Sequence, residues 1–148
     1  MRYALIDIGT NSCRLLIADY SAGKMTPVYR KLITTRLGEG LMDKGLLSAD
    51  AMARTCTALN EFGDIMREYK VENSKVIATS AVREANNRDE FINIVKEKCH
   101  MEVDIISGQK EAFLSYLGVK NGLSLDAAPL VIDLGGGSTE VIFKDEFF

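Results

Sequence analysis

Two short stretches of the sequence have the residue types and the spacing of a phosphate-binding turn. In each, an aspartate ends an apolar run, a glycine lies two positions later, and a serine lies three positions after the glycine. The first set is Asp7, Gly9 and Ser12, and the second is Asp133, Gly135 and Ser138. Backbone N–H groups with no Cβ beside them bind anions, and a nearby carboxylate can hold the magnesium that accompanies phosphates. The repeat predicts two turns that close on a single ligand.

The second turn contains three consecutive glycines, Gly135 to Gly137. A two-residue hairpin turn needs positive φ at only one or two positions, so the third glycine indicates that another group approaches the backbone closely. Phosphate is the usual group of this kind. The residues alone leave two interpretations of the aspartates: they cap their own turns, or they hold a cation.

Composition limits the class of protein and its partners. The chain has 148 residues, of which 47% are hydrophobic and 26% charged, as is usual for a globular domain. The net charge of −3 provides no broad basic field, so we expect no DNA or RNA partner. No apolar run approaches the roughly 20 residues of a membrane span, and the N-terminus lacks a signal-peptide pattern. We therefore expect no membrane association and a cytoplasmic location.

Cysteine and histidine are poor candidates for the chemistry. Cys13, Cys56 and Cys99 are widely separated and odd in number, which fits neither a disulfide framework nor a zinc site, and we interpret them as buried thiols. His100 is the single histidine and lies in a charged stretch typical of a helix end. Nothing supports a nucleophilic triad built on it. We therefore expect carboxylates, backbone groups and a metal ion to carry out the chemistry.

The elements that must position the turns follow from residue periodicity. Residues 3–8, 13–19 and 25–35 are β-rich and joined by turn-like segments, so they predict an antiparallel meander. From Ser48, a suitable N-cap, apolar residues recur every three or four positions up to Tyr69, which predicts a helix. Gly63 weakens this helix without ending it.

The second half alternates strands with helices. Residues 75–80 and 102–107 predict strands, and Asn87 with Glu90 suits the capping of a helix between them. A helix from residue 108 ends at Gly118 or Gly122. The order βββαβαβα predicts a ribonuclease-H-like domain over residues 1–122, with a mixed sheet, helices on its faces and the ligand at the strand ends.

Residues 123–148 are expected to be a linker followed by the first hairpin of a second, similar domain. A pair of strands alone is marginally stable, so the chain is interpreted as truncated. The apolar hairpin, residues 130–144, is expected to be disordered, to fold back, or to pair with a second copy, with self-association as a homo-oligomer favoured. We expect little hydrolase activity from the 148 residues alone, because the second loop lacks its supporting strands.

Four motifs in order carry a resemblance that covers residues 4–143. They read DIGTNSCRLLI, ATSAVREANN, ISGQKEA and VIDLGGGSTE. The sequence resembles the exopolyphosphatase and guanosine pentaphosphate phosphohydrolase family, Ppx/GppA, within the superfamily of sugar kinases, actin and heat-shock chaperone ATPases. Members of the family are about twice this length or more, and the resemblance is to their N-terminal domain with the start of the next domain.

The resemblance implies a set of site residues. Glu111 matches the catalytic glutamate, and Asp7 and Asp133 are the candidates to hold Mg²⁺ or another divalent cation. The implied phosphate-binding residues are Gly9, Thr10, Asn11, Ser12, Arg14, Arg83, Gly135, Gly136, Gly137 and Ser138. Lys110 departs from the acidic residue that many members place before the catalytic glutamate. Without the resemblance, we would interpret Glu111 as a carboxylate favoured by a helix N-terminus, and Arg83 as a solvated surface residue.

The expected function is release of terminal phosphate from inorganic polyphosphate, guanosine pentaphosphate (pppGpp), or both. Such hydrolysis needs charge neutralisation, a held leaving phosphate and an aligned water, which Glu111 would position with metal assistance. Two alternatives are an ATP-dependent kinase or ATPase of the same superfamily, and a non-catalytic sensor of phosphate ligands. A nuclease on this fold would need a tight carboxylate cluster with basic flanks.

Overall fold

The computed structural model describes residues 1–123, 128–143 and 146–147. The strands are β1 (Arg2–Ile8), β2 (Ser12–Ser21), β3 (Lys24–Thr34), β4 (Asn73–Ala78), β5 (Val103–Ile105), β6 (Leu130–Leu134), β7 (Thr139–Phe143) and β8 (Glu146–Phe147). The helices are α1 (Leu41–Lys44), α2 (Ala49–Glu68), α3 (Ser80–Glu84), α4 (Arg88–Cys99) and α5 (Gly108–Leu123).

Five strands form one mixed sheet in the order β3-β2-β1-β4-β5. The first three strands pair antiparallel, as the meander prediction requires, while β4 pairs parallel to β1 and β5 parallel to β4. Parallel neighbours need a crossover, and α2 and α4 provide the two crossovers. The carboxyl ends of β1 and β4 therefore lie side by side at one edge of the sheet.

The main core lies between this sheet and helices α2 and α4. Alternate residues of β1 and β2 point into it, because successive side chains of a strand face opposite sides. Phe62 of α2 and Phe91 of α4 are fully buried there. Ser48 caps α2 by accepting a hydrogen bond from the Ala51 amide at 3.2 Å, and the helix continues through Gly63, as predicted.

Three local predictions need correction. The short helices α1 and α3 were not predicted, and β4 ends at Ala78 rather than at Ser80 because α3 begins there. Gly118 does not end α5, which continues through Gly122 to Leu123. Asn87 occupies the N-cap of α4, but its amide instead accepts from the Leu47 N–H at 2.9 Å and donates to the Leu47 carbonyl at 3.0 Å. Asn87 thus joins two loops.

The second sheet, in the order β6-β7-β8, is antiparallel and lies against α5. A small cluster of Ala112 and Tyr116 from α5 with Val131 and Ile142 from the hairpin is buried between them. The hairpin therefore packs on its own chain in this structure, while self-association stays a prediction. Residues 124–127 of the predicted linker and Lys144 of the predicted hairpin lie outside the described residues.

The structure also describes the three cysteines. Cys13, Cys56 and Cys99 are buried free thiols, as predicted. Burial raises the pKa of the Cys13 thiol to about 11 and that of the Cys99 thiol to about 12, so both are protonated at neutral pH. Within residues 1–123, 128–143 and 146–147, no helix combines the length and the hydropathy of a membrane span.

Candidate functional site

A polar cavity of about 540 Å³ opens at the carboxyl ends of β1, β4 and β6, beside the start of α5. Its walls come from parts of the sequence more than 100 residues apart. Of the predicted site residues, those that line it are Asp7, Gly9, Thr10, Asn11, Ser12, Arg14, Glu111, Asp133, Gly135, Gly136, Gly137 and Ser138. Ligands of α/β sheets bind in such a crevice at the strand ends.

The repeated motif produces the same turn twice. We call residues 9–12 the first loop and residues 135–138 the second loop. The Gly9 N–H donates to the Ser12 carbonyl at 3.1 Å, and the Gly135 N–H donates to the Ser138 carbonyl at 2.9 Å. A Cβ on either glycine would lie 3.0 Å from that serine oxygen, which is shorter than an ordinary van der Waals contact. The tight closure of each turn therefore favours glycine as the first residue of its loop.

The other two glycines of the second loop are explained by the first loop. A Cβ on Gly137 would lie 2.7 Å from the Thr10 hydroxyl oxygen and 3.0 Å from that of Ser80. A Cβ on Gly136 would lie 3.2 Å from the Cβ of Asn11. The group that approaches this backbone closely is thus the opposite loop, in addition to any ligand.

A segment that the sequence analysis did not single out anchors the first loop. The Thr10 carbonyl accepts from the Gly38 N–H at 2.9 Å, and the Asn11 carbonyl accepts from the N–H groups of Thr35 and Arg36 at 3.1 and 2.9 Å. These bonds turn both carbonyls toward residues 35–38, which do not line the cavity. The only sequence signal was Gly38, and it could not be told from an ordinary turn glycine.

Asp7 lies at the end of β1, directly opposite Arg14 in the β1–β2 register. Burial raises the pKa of Asp7 above its ordinary value. The positive charge of Arg14 opposes this rise, and the negative charge of Asp133 adds to it. The two aspartates of the repeated motif are therefore close enough for their negative charges to interact across the cavity.

Glu111 lies in the first turn of α5, where its N–H donates to the Ser107 carbonyl at 2.9 Å. Its carboxylate accepts a hydrogen bond from Nη1 of Arg83 at 3.0 Å. Burial raises the pKa of Glu111, the Arg83 bond opposes the rise, and the charges of Glu140 and Asp7 add to it. The candidate base is therefore held in place but is harder to ionise than a free glutamate.

Arg83 does not line the cavity. Besides Glu111, its guanidinium donates to the Ile106 carbonyl at 3.0 Å and to Glu84 at 3.2 Å. In this structure the predicted phosphate-binding arginine thus contacts the cavity through Glu111.

Glu140 is a cavity residue that the sequence analysis missed. It pairs with Asp133 in the β6–β7 register and is buried, at 6% exposure. In the sequence, Glu140 is the last residue of the motif VIDLGGGSTE, two positions after Ser138. This position did not distinguish it, because a charged residue at the start of a strand is ordinarily solvated. Thr79 and Ser80, at the N-terminus of α3, also line the cavity.

The carboxylates permit one kind of metal site and not another. Within residues 1–123 and 128–143, no group of three or more histidine, cysteine, aspartate or glutamate side chains is arranged to hold a metal ion. Magnesium usually takes one or two carboxylates and completes its shell with substrate phosphates and waters. Asp7 and Asp133, facing a polar cavity lined by two glycine loops, fit that mode of binding.

Comparisons with known proteins give consistent results. The sequence profile of the Ppx/GppA phosphatase family matches residues 16–147. Exopolyphosphatase 2 of Mycobacterium tuberculosis is 39% identical over 97% of this chain, which covers 48% of that relative. The chain therefore spans about half the length of this relative.

Two solved structures show the same fold. The crystal structure of the Aquifex aeolicus Ppx/GppA family member has 36% identity and a TM-score of 0.86, with 100% of this chain and 49% of that chain covered. An exopolyphosphatase from Cytophaga hutchinsonii has 32% identity and a TM-score of 0.88, with 99% and 48% covered. These similarities confirm the predicted ribonuclease-H-like, actin-like fold class.

Proposed function

The chain belongs to the Ppx/GppA phosphatase family, and on that premise we propose that it carries the phosphate-binding and hydrolytic groups of a phosphoanhydride hydrolase. The substrate would be inorganic polyphosphate, pppGpp, or both, with terminal phosphate as the product. Residues 1–122 would form the first ribonuclease-H-like domain, and residues 123–148 the linker and first hairpin of the second.

The observation that carries the proposal is the convergence of Glu111 with both glycine loops on one cavity. Phosphoryl transfer needs little covalent chemistry from a protein, and its catalysis consists of positioning and charge stabilisation. The backbone N–H groups of the two loops would hold phosphate oxygens, and Arg14 would contribute positive charge at the same wall. The contact of Gly137 with Thr10 would keep the two loops at a fixed separation.

Glu111 would orient and activate the attacking water. A general base must be ionised, and burial works against ionisation of Glu111. The hydrogen bond from Arg83 favours the ionised form and occupies Oε2, which leaves Oε1 for the water. Arg83 would therefore support the base rather than bind phosphate directly. General-base assistance is worth about 10²–10⁴-fold in rate.

Asp7 and Asp133 would hold a magnesium ion, either directly or through its waters. A bound divalent cation would neutralise charge on the phosphates during transfer. The positive charge of the cation would also offset the repulsion between the carboxylates of Asp133 and Asp7. The name of the Mycobacterium tuberculosis relative makes polyphosphate the first substrate to test.

The decisive experiment measures phosphate release by the full-length protein from polyphosphate and from pppGpp side by side, with and without excess chelator. We expect hydrolysis of at least one of the two, and its loss in chelator. ATP serves as the comparison substrate. Turnover of ATP alone would favour the kinase or ATPase alternative, and binding of polyphosphate without any release would favour the sensor.

A further inference from the structure

Ser115 makes a contact that the proposed roles of the cavity residues do not include. Its hydroxyl donates to Oδ2 of Asp133 at 2.5 Å, between the middle of α5 and the end of β6. Both residues line the cavity. The bond joins two residues 18 positions apart in the sequence and in different elements, so helix geometry alone does not produce it.

Two helix hydroxyls in α2 bond to their own backbone. In α2, the hydroxyl of Thr55 donates to the Ala51 carbonyl at 2.9 Å, and that of Thr57 donates to the Ala53 carbonyl at 3.1 Å. A bond to the carbonyl four residues earlier is one of the usual arrangements of serine and threonine inside helices. Ser115 donates instead to a carboxylate, and a hydrogen bond to a charged acceptor is stronger than one between neutral groups.

The periodicity of α5 places Ser115 where it can act on the site. Residues four apart share a helix face, so Ser115 lies one turn beyond Glu111 on the cavity side. Ala112 and Tyr116 lie on the neighbouring face and pack against the hairpin. The same helix therefore carries the candidate base, the hairpin contact and the donor to Asp133.

Asp133 needs such a donor because it has acidic neighbours. Glu140 lies directly opposite it in the β6–β7 register, and like charges in that position repel. The negative charge of Asp133 also interacts with that of Asp7 across the cavity. A hydroxyl bound to Oδ2 stabilises the carboxylate against these charges, fixes its rotamer and leaves Oδ1 for a ligand.

We propose that Ser115 is a positioning residue, which holds Asp133 in the orientation that binds a divalent cation and fixes the second loop to the helix of Glu111. The inference rests on the proposed function for the role of Asp133. Partners that orient a metal ligand typically contribute about 10–100-fold to metal affinity or activity. We expect an effect of that size on cation binding.

The test compares Ser115→Ala and Ser115→Thr in the full-length protein, with Thr57→Ala as a control that removes a helix hydroxyl remote from the cavity. The first measurement is the Mg²⁺ concentration that gives half-maximal phosphate release. The second, independent of turnover, is Mn²⁺ binding followed by electron paramagnetic resonance in the presence of inorganic phosphate. Thermal unfolding of each variant checks that it is folded.

For Ser115→Ala we expect both the Mg²⁺ requirement and the Mn²⁺ dissociation constant to rise about 10-fold or more. Ser115→Thr keeps the hydroxyl and should restore most of the loss, which a purely steric role would not do. Values for Ser115→Ala equal to wild type would overturn the inference while leaving the proposed function intact.

The proposed function can fail separately. If wild type released no phosphate, the Mn²⁺ measurement alone would decide, with weaker binding by Ser115→Ala and recovery by Ser115→Thr supporting the inference. Equal Mn²⁺ binding by the three proteins, or none by wild type, would overturn it.

Discussion

Nη1 of Arg83 lies 3.0 Å from Oε2 of Glu111, and the two side chains are only 21% and 19% exposed. The pair joins the end of α3 to the first turn of α5 at the edge of the cavity. Removing one member of a sheltered ion pair leaves the other charge uncompensated. The pair therefore fixes the position of Glu111 and lowers its pKa against the larger effect of burial, which raises it.

Glu111→Gln should reduce phosphate release by the full-length protein about 10²-fold or more, because the amide cannot accept a proton from water. Polyphosphate should still bind, since both glycine loops are unchanged. Glu84→Gln is the matched control, because Glu84 also contacts Arg83 but is exposed. Activity of Glu111→Gln above about a tenth of wild type would exclude general-base action.

Arg83→Ala should move the acid limb of the pH profile of kcat/KM to higher pH. The Arg83 hydrogen bond lowers the pKa of Glu111 against the effect of burial, so its loss raises that pKa further. Because the base acts when ionised, activity then disappears at a higher pH as the solution is acidified. Arg83→Lys keeps the charge and should shift the limb less. An acid limb that does not move in Arg83→Ala would mean that the pair has no part in ionisation.

Gly137→Ala should lower activity by about 10²-fold while the protein stays folded, because the methyl group forces the second loop away from Thr10 and Ser80. Gly118→Ala is the control, since a Cβ there meets nothing within 4 Å. That change in α5 should leave activity unchanged and add about 0.5–1 kcal/mol to the free energy of unfolding. Wild-type activity in Gly137→Ala would show that loop contact is not needed.

Asp7→Asn should stabilise the folded protein at neutral pH in the absence of divalent cations, by up to about 1–2 kcal/mol. The folded-state pKa of Asp7 is raised, mainly by burial, so its carboxylate destabilises the fold once pH exceeds that pKa. The gain should shrink as pH falls through the folded-state pKa, and it should vanish below about 3, where the wild-type carboxyl is protonated in both the folded and the unfolded state.

Thermal or urea unfolding across pH measures the Asp7 effect. Asp64→Asn, an exposed change on α2, should alter the free energy of unfolding by no more than about 0.5 kcal/mol. A less stable Asp7→Asn protein at neutral pH would contradict the assignment of burial as the cause. Greater stability combined with lost hydrolysis would identify Asp7 as a residue kept for function at a cost in stability.

The sequence by itself determined the features that depend on near neighbours. The two turns follow from a spacing of six residues, and in both the first glycine donates to the serine carbonyl three residues later. Strand alternation in β1 and β2 and the apolar face of α2 are equally local, as is the Ser48 cap. Hydrogen bonds and periodicities of this range can be predicted from residue order.

Only the tertiary structure decided how these parts meet. The order β3-β2-β1-β4-β5 and the packing of the hairpin on α5 bring the two loops into contact, so Gly137 is required by Thr10 rather than by its own turn. The same packing pairs Arg83 with Glu111 and places Glu140 in the cavity wall. The type of a residue determines which hydrogen bonds and ion pairs its side chain can make. Which of several partners tens of residues away it contacts depends on distances that are set only after the sheet has formed.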